Sequence, residues 1–573
     1  MGRFSHAVKI LIAMSIAVLT LGSAIAQDES VIVIGFEQEG PNLAPLNTLV
    51  YGQLPNGFFA RDLWEFDTAR NIMPQMAAAI PEAETTEDGN TRVVISLREG
   101  LVWSDGTPIT SADCEMWHNV RSDTATSTNV SRARYPEIVT NFEVIDDLTF
   151  AITYDGIFPD FLAAPEQPQC PYPAHIFNPM IADGGILEES DYFVGAQQFE
   201  VAGADFTSAS VGFGPYVLTS WNIGEGMELR ANPNWPDQAP AFDRVVVVFI
   251  TDDTQMRNAM DAGEVDVTFG WSDDLQGEYD GIDGVDIFPA QGVFSDALWI
   301  RSGENGNSDA NGGTALQDPL VRQAIAHAID RITLAEQLIG PGIAVPTSWY
   351  PNVLWPDDLP FLEYNVDGAV ALLEEAGWTD TNGDGTVDKD GIELANLRFV
   401  TTENTLRNNY QLVIQEYLAA VGIGTDIQII PATTLFAAYG DRGTLTTYEW
   451  DLAIFANSAD PLTPLGDADS YQCSGIPSDE NPGGFNPWQF CDPEYDAADS
   501  LIAATLPGPD RDVLIAEAVT RHFEGYFWHG LRLRATWFAV NTNVVTVESV
   551  QDNVGTLASN WFNQIENWEA AGS

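Results

Sequence analysis

Asp380, Asn382 and Asp384 stand at alternate positions, with Gly383 between them and Gly385 after them. Side-chain oxygens at positions one, three and five, with glycine at six, open the loop that wraps Ca²⁺ in an EF-hand. The twelfth position is Gly391, where that loop needs a bidentate Glu. Asp388 and Asp390 offer oxygens in another geometry, and an acidic β-turn is the competing reading. A second candidate lies in residues 450–461, WDLAIFANSADP. Asp451 to Phe455 reads as a strand, and Asn457, Ser458, Ala459 and Asp460 follow at its carboxyl end. Strand ends of this kind are where α/β lobes bind ligands. A carboxylate in a cleft suits a primary amine, because a charge-assisted hydrogen bond is strong once desolvated. The alternative is that Asp460 caps a turn before Pro461.

Other chemistry finds little support. There is no phosphate-binding P-loop, no HExxH and no G-x-S-x-G string. His522 and His529, with Glu524 near them, lack zinc-ligand spacing. With 84 acidic residues, carboxylate pairs of the glycosidase kind arise by chance and count for nothing. No cofactor is implied. Cys473 and Cys491 bracket a Gly/Pro/Asn-rich stretch and are expected to pair, which contributes roughly 3 kcal/mol by closing the loop. Cys114 and Cys170 can pair as well, and their spacing fits no zinc motif.

The elements that must hold these residues are those of a large exported protein. Arg3 and Lys9, an apolar run from Ile10 to Gly22 and the small residues Ala24-Ile25-Ala26 make residues 1–26 look like a cleavable secretory signal. No Cys follows the cleavage point, and no later run approaches the ~20 apolar residues of a membrane span. The remaining length exceeds what one core supports, so two or three domains are expected. Removing two basic and no acidic residues takes the formal charge from −61 to −63 and leaves Lys389 as the single lysine. Such a surface repels nucleic acid and anionic lipid. Even-numbered Cys outside the cytoplasm favour disulfides.

Val93, Ile95 and Leu97 alternate with Val94, Ser96 and Arg98 as a half-buried strand. Ser104-Asp105-Gly106-Thr107-Pro108 is a turn, and Thr110 with Asp113 is a capping box that starts a helix. This string resembles the family-5 substrate-binding proteins of bacterial ABC importers, the peptide- and nickel-binding class. Further strings carry the same resemblance. Gly212-Phe213-Gly214-Pro215-Tyr216, Arg230-Ala231-Asn232-Pro233-Asn234-Trp235 and Ala262-Gly263-Glu264-Val265-Asp266 match family motifs. So does the run from Asp318 to Arg331, whose apolar positions 321, 324, 325, 328 and 329 follow helical spacing. Pro173-Ala174-His175-Ile176 resembles "PKHi", which makes His175 structural rather than a ligand.

The resemblance implies an α/β, two-lobed periplasmic-binding-protein fold (type II, cluster C) with an extra subdomain and two crossing strands. Leu298-Trp299-Ile300 and Leu531-Arg532-Leu533 would be the crossings. The first lobe would take 27–68, 176–292 and 530–573, the subdomain 69–175 and the second lobe 293–529. Alternating strands and helices independently favour an α/β class. In peptide-binding relatives an Asp in the loop matching 457–460 pairs with the ligand's α-amino group, and Asp460 falls there. Ile454 falls where some relatives have a carboxylate-binding Arg, which weakens recognition of a free C-terminus. Residues 51–56, with Tyr51, Leu54 and Asn56, match the segment that lends backbone groups to an extended peptide. The expected protein captures an oligopeptide or similar amine-bearing solute, delivers it to a membrane permease and makes or breaks no bond. It is expected to be monomeric. An oligosaccharide ligand on the same fold, or an extracellular hydrolase, are the alternatives.

Overall fold

The structure is a computed structural model that describes residues 29–40, 54–67, 71–123, 125–126, 134–163, 166–187, 198–270, 277, 279, 281–305, 312–351, 354–458, 470–555 and 561–572. The expected signal at 1–26 lies outside them, as do Tyr51, Ala459 and Asp460. No helix among the described residues is long and apolar enough to cross a membrane.

One ten-stranded mixed sheet runs through the molecule. Its first half holds the strands Tyr216–Asn222, Gly226–Ala231, Arg244–Phe249, Val31–Phe36 and Val267–Gly270, in that order. Its second half ends with Leu452–Ser458, Leu397–Thr401 and Thr425–Ile429. Two long antiparallel strands, Trp528–Asn541 and Val285–Ile300, join the halves. Their pairing breaks register between Gln291 and Ser295, and again between Asp296 and Ala297. On the amino side of the first break, Val285 to Gln291 pairs with Asn541 to Ala535; beyond it, Ser295 to Ile300 also pairs with Leu452–Ser458. A β-bulge of this kind bends a strand and raises its twist, which suits a passage between two bodies. Leu298-Trp299-Ile300 therefore sits well inside the second half, and Leu531-Arg532-Leu533 beside the break.

Strand type follows burial. Ile32, Ile34, Val245 and Val247 are sealed in a first core with Phe36, Phe58, Phe269, Phe538 and Phe562. The Val31–Phe36 strand is parallel to both neighbours, and parallel strands are buried on two faces. The second half has two cores, one on each face. Leu298, Ile300, Ile454 and Leu531 meet the helices Pro319–Ala328, Val366–Glu375 and Thr405–Ala419. Trp299, Phe455, Trp488, Trp528 and Tyr471 meet Pro493–Ala503 and Pro509–Glu524 on the other face.

A separate four-stranded antiparallel sheet carries the subdomain, in the order Ala83–Thr85, Thr91–Ser96, Thr149–Tyr154 and Val139–Asp146. The expected alternation is present: Val93 and Ile95 are buried, Val94 and Ser96 exposed. The hairpin turns at Asp146-Asp147, and the Asp113 carboxylate accepts from the Thr110 backbone N–H at 2.8 Å to close the capping box of helix Ser111–Ser122. Helix Ala174–Ile181 packs on that helix through Phe177 and Tyr172. Both disulfides are formed, Cys114–Cys170 and Cys473–Cys491.

Candidate functional site

The strand Leu452–Ser458 lies parallel to Leu397–Thr401, so both present their carboxyl ends at the passage between the halves. Asp451 begins it, fully enclosed, and is held by two cations. Arg301 Nη2 donates to Asp451 Oδ1 at 2.6 Å, and Arg398 Nε to Oδ2 at 2.8 Å. Those guanidinium groups keep its carboxyl below the usual range against the opposing effect of burial. Asp451 and Arg301, both buried, with the part-exposed Arg398 anchor the amino end of the strand whose other end carries the candidate site.

At that other end, Asn457 pairs in register with Ser295, and Ser458 with Phe294. Asn457 turns toward the aromatic face, where its Nδ2 reaches the Tyr471 hydroxyl at 3.4 Å. Its amide oxygen is buried, with no hydrogen-bond partner among the described residues. Beside it Phe455 stacks on Trp299 at 4.9 Å, and Trp299 on Trp488 at 4.3 Å. Phe436, half-exposed, meets the edge of Phe455. From the first half, Leu54 is buried in the core, and Asn56 begins the short helix Asn56–Phe59. The Asn56 amide oxygen is likewise buried, with no partner among the described residues. The amide oxygens of Gln167, Asn408, Gln411 and Asn486 are in the same state, so the feature does not by itself single out these two positions. Of the residues singled out from the sequence, the structure thus describes Leu54, Asn56, Asn457 and the backbone of Ser458.

The acidic loop is occupied by its own backbone. Asp380 accepts from the N–H groups of Gly383 (2.6 Å) and Gly385 (3.0 Å), and Asn382 Oδ1 from that of Asp384 (2.9 Å). Asp384 takes the N–H of Thr386 at 2.9 Å, and Asp388 takes Thr381. Among the described residues no group of three His, Cys, Asp or Glu is arranged to hold a metal. His175 Nε2 meets Asp105 Oδ2 at 2.7 Å, which ties the subdomain's turn to helix Ala174–Ile181. His522 is enclosed by Tyr471, Phe490 and Phe527, and burial pushes its pKa down to about 3. His529, on the second crossing strand, is likewise held neutral by burial.

One cluster carried no role in the sequence reading. Asp296, 1% exposed, receives three guanidinium groups. Arg532 Nε donates to Oδ2 at 2.8 Å, Arg534 Nε to Oδ2 at 3.1 Å, and Arg407 Nε to Oδ1 at 2.9 Å. Together they hold its pKa at about 2 although burial pulls the other way. The faint signal was Arg532 and Arg534, two apart on a strand, in a chain with only 23 basic residues.

Comparison with known proteins bears on this arrangement. The family of bacterial extracellular solute-binding proteins, family 5 (middle), matches residues 71–478. Protein XP55 of Streptomyces lividans is 26% identical over 69% of this chain and 66% of its own length. The oligopeptide-binding protein AppA of Bacillus subtilis is 26% identical over 65% of this chain and 64% of its own. The chain thus spans slightly less than two thirds of these two relatives. The structure of that AppA in complex with a nonapeptide aligns over 96% of this chain and all of its own, with a TM-score of 0.55 at 19% identity. An ABC transporter substrate-binding protein from Sinorhizobium meliloti aligns over 94% of this chain and all of its own, with a TM-score of 0.72 at 19% identity.

Proposed function

The chain belongs to the family-5 bacterial extracellular solute-binding proteins, and from that premise we propose that it captures oligopeptides, or similar amine-bearing solutes, for an ABC importer. Relatives in this family are substrate-binding proteins of transporters rather than enzymes. The observation that supports a peptide ligand is the match to a relative named for oligopeptide binding.

In this reading the ligand lies between the lobes, and its free amine meets the Asp460 carboxylate. Residues 51–56, with Tyr51, and the backbone of Ser458 and Ala459 would flank it as an added strand. Binding shifts an open–closed equilibrium about the crossing strands, and the closed form docks on a permease. The lobes would be 27–68 with 176–292 and 530–573, and 293–529, with 69–175 as the subdomain. Residues 1–26 would direct export, to a compartment in which the two disulfides persist.

Calorimetry on Asp460→Ala tests the amine contact. The variant should weaken pooled pentapeptides by roughly 1.5–3 kcal/mol while leaving N-acetylated ones unchanged. Equal binding of acetylated and free peptides by the parent protein rejects it.

A further inference from the structure

The cluster on Asp296 gathers charge that this chain otherwise lacks. Three guanidinium groups surround one carboxylate, in a sequence of formal charge −61. The charges acting most strongly on Arg407 are that carboxylate and the other two arginines, so each cation is pressed by its neighbours. Such a group is costly to bury for structure alone, since an apolar trio would hold two strands as well.

Its position is that of a ligand site. Asp296 lies opposite Ala456, two residues from the carboxyl end of Leu452–Ser458. Arg407 stands in the first turn of helix Thr405–Ala419, which follows the carboxyl end of Leu397–Thr401. Arg532 and Arg534 come from the other crossing strand, at the register break. Carboxyl ends of strands in open α/β sheets are where ligands are received, and a helix N-terminus there adds partial positive charge. The cluster is also reachable. Arg532 and Arg407 are nearly closed off, but the Arg534 side chain is 40% exposed, and Phe294, two residues before Asp296 on the same strand face, is part-exposed as well.

We propose that Arg534, backed by Arg407 and Arg532, is an anion subsite between the lobes that takes a carboxylate of the ligand. Asp296 aligns the three guanidinium groups and leaves the cluster net positive. A peptide's free C-terminus, or an acidic side chain near it, would be read here rather than at position 454, where Ile454 is sealed in the second half's core. The inference rests on the reading that the ligand lies between the lobes.

The test is calorimetry on the mature chain at fixed ionic strength, with disodium succinate, neutral succinamide, and pooled pentapeptides as free acids or C-terminal amides. Succinate should bind saturably and succinamide should not, and free acids should bind tighter than amides. Arg534→Gln should weaken succinate about tenfold or more, and Arg534→Lys should recover part of the loss. A merely structural clasp would leave succinate affinity and the acid–amide difference intact in Arg534→Gln. Absence of saturable succinate binding, or equal binding by Arg534→Gln, overturns the subsite. If that variant fails to fold, the succinate–succinamide comparison on the parent protein still decides. Succinate binding without any peptide binding overturns the peptide reading and leaves the subsite standing.

Discussion

Asp296 shows how much of this molecule hangs on single buried charges. Its carboxyl pKa is lowered to about 2, so the contribution is present above the unfolded value of 3.8 and is lost as pH falls through about 2. The shift corresponds to about 2 kcal/mol. Acid titration of stability should therefore steepen between about pH 4 and pH 2, and Asp296→Asn should remove that component; an unaltered acid limb in the variant contradicts the assignment. The residues that make this cluster were not legible in the sequence. Asp296, Arg407, Arg532 and Arg534 lie on three separate segments, and only strand register brings them together. By contrast, the Thr110–Asp113 box was readable because capping is a contact between residues three apart. The proposed Asp460 contact falls between these cases: its place in the chain came from resemblance, and its side chain lies outside the described residues.

At the scale of elements, the disulfide loop closed by Cys473 and Cys491 does more than shorten the unfolded chain. Trp488 on that loop stacks against Trp299 of the first crossing strand, and the Trp488 carbonyl accepts from the backbone N–H of Ser302. Opening the loop with Cys473→Ser and Cys491→Ser should cost roughly 3 kcal/mol, seen as a lower denaturant midpoint. Because the loop braces a crossing strand, peptide affinity should fall with it; a variant that loses stability but binds at parental strength would separate the brace from the site. Strands were legible wherever apolar and polar residues alternate or apolar runs are short, as in Thr91–Ser96 and Val31–Phe36. The two triplets expected at the crossings lie on the joining strands, but the extent of those strands was not legible. Val285–Ile300 spans 16 residues and changes register midway, so neither its length nor its bulge follows a simple period.

Over the whole molecule, the acidic excess and the buried carboxyl groups act together. Burial raises Asp499 to a pKa of about 6 and Glu65 to about 7. For groups raised in the folded state, stability is fullest below their unfolded values and declines as pH rises toward the folded ones. Rising pH also adds to repulsion among the 84 acidic residues. The buried neutral His522 and His529 act the other way below their unfolded value of 6.5, so the carboxyl contribution is read by comparison. Glu65→Gln should remove a decline in thermal stability between about pH 5 and pH 7 that the parent protein shows relative to it. Molar salt should raise the melting temperature at pH 8 by screening that repulsion; no stabilisation by salt would show that the acidic shell carries no such penalty.

The peptide-binding function is decided by what the protein retains. Native mass spectrometry of the mature chain, incubated with an equimolar pool of pentapeptides and linear oligosaccharides, reads this in one spectrum. The expected result is one intact peptide per protein, with the free pool unchanged in mass over hours. Retention of oligosaccharide alone, or the appearance of cleaved peptides, would contradict it.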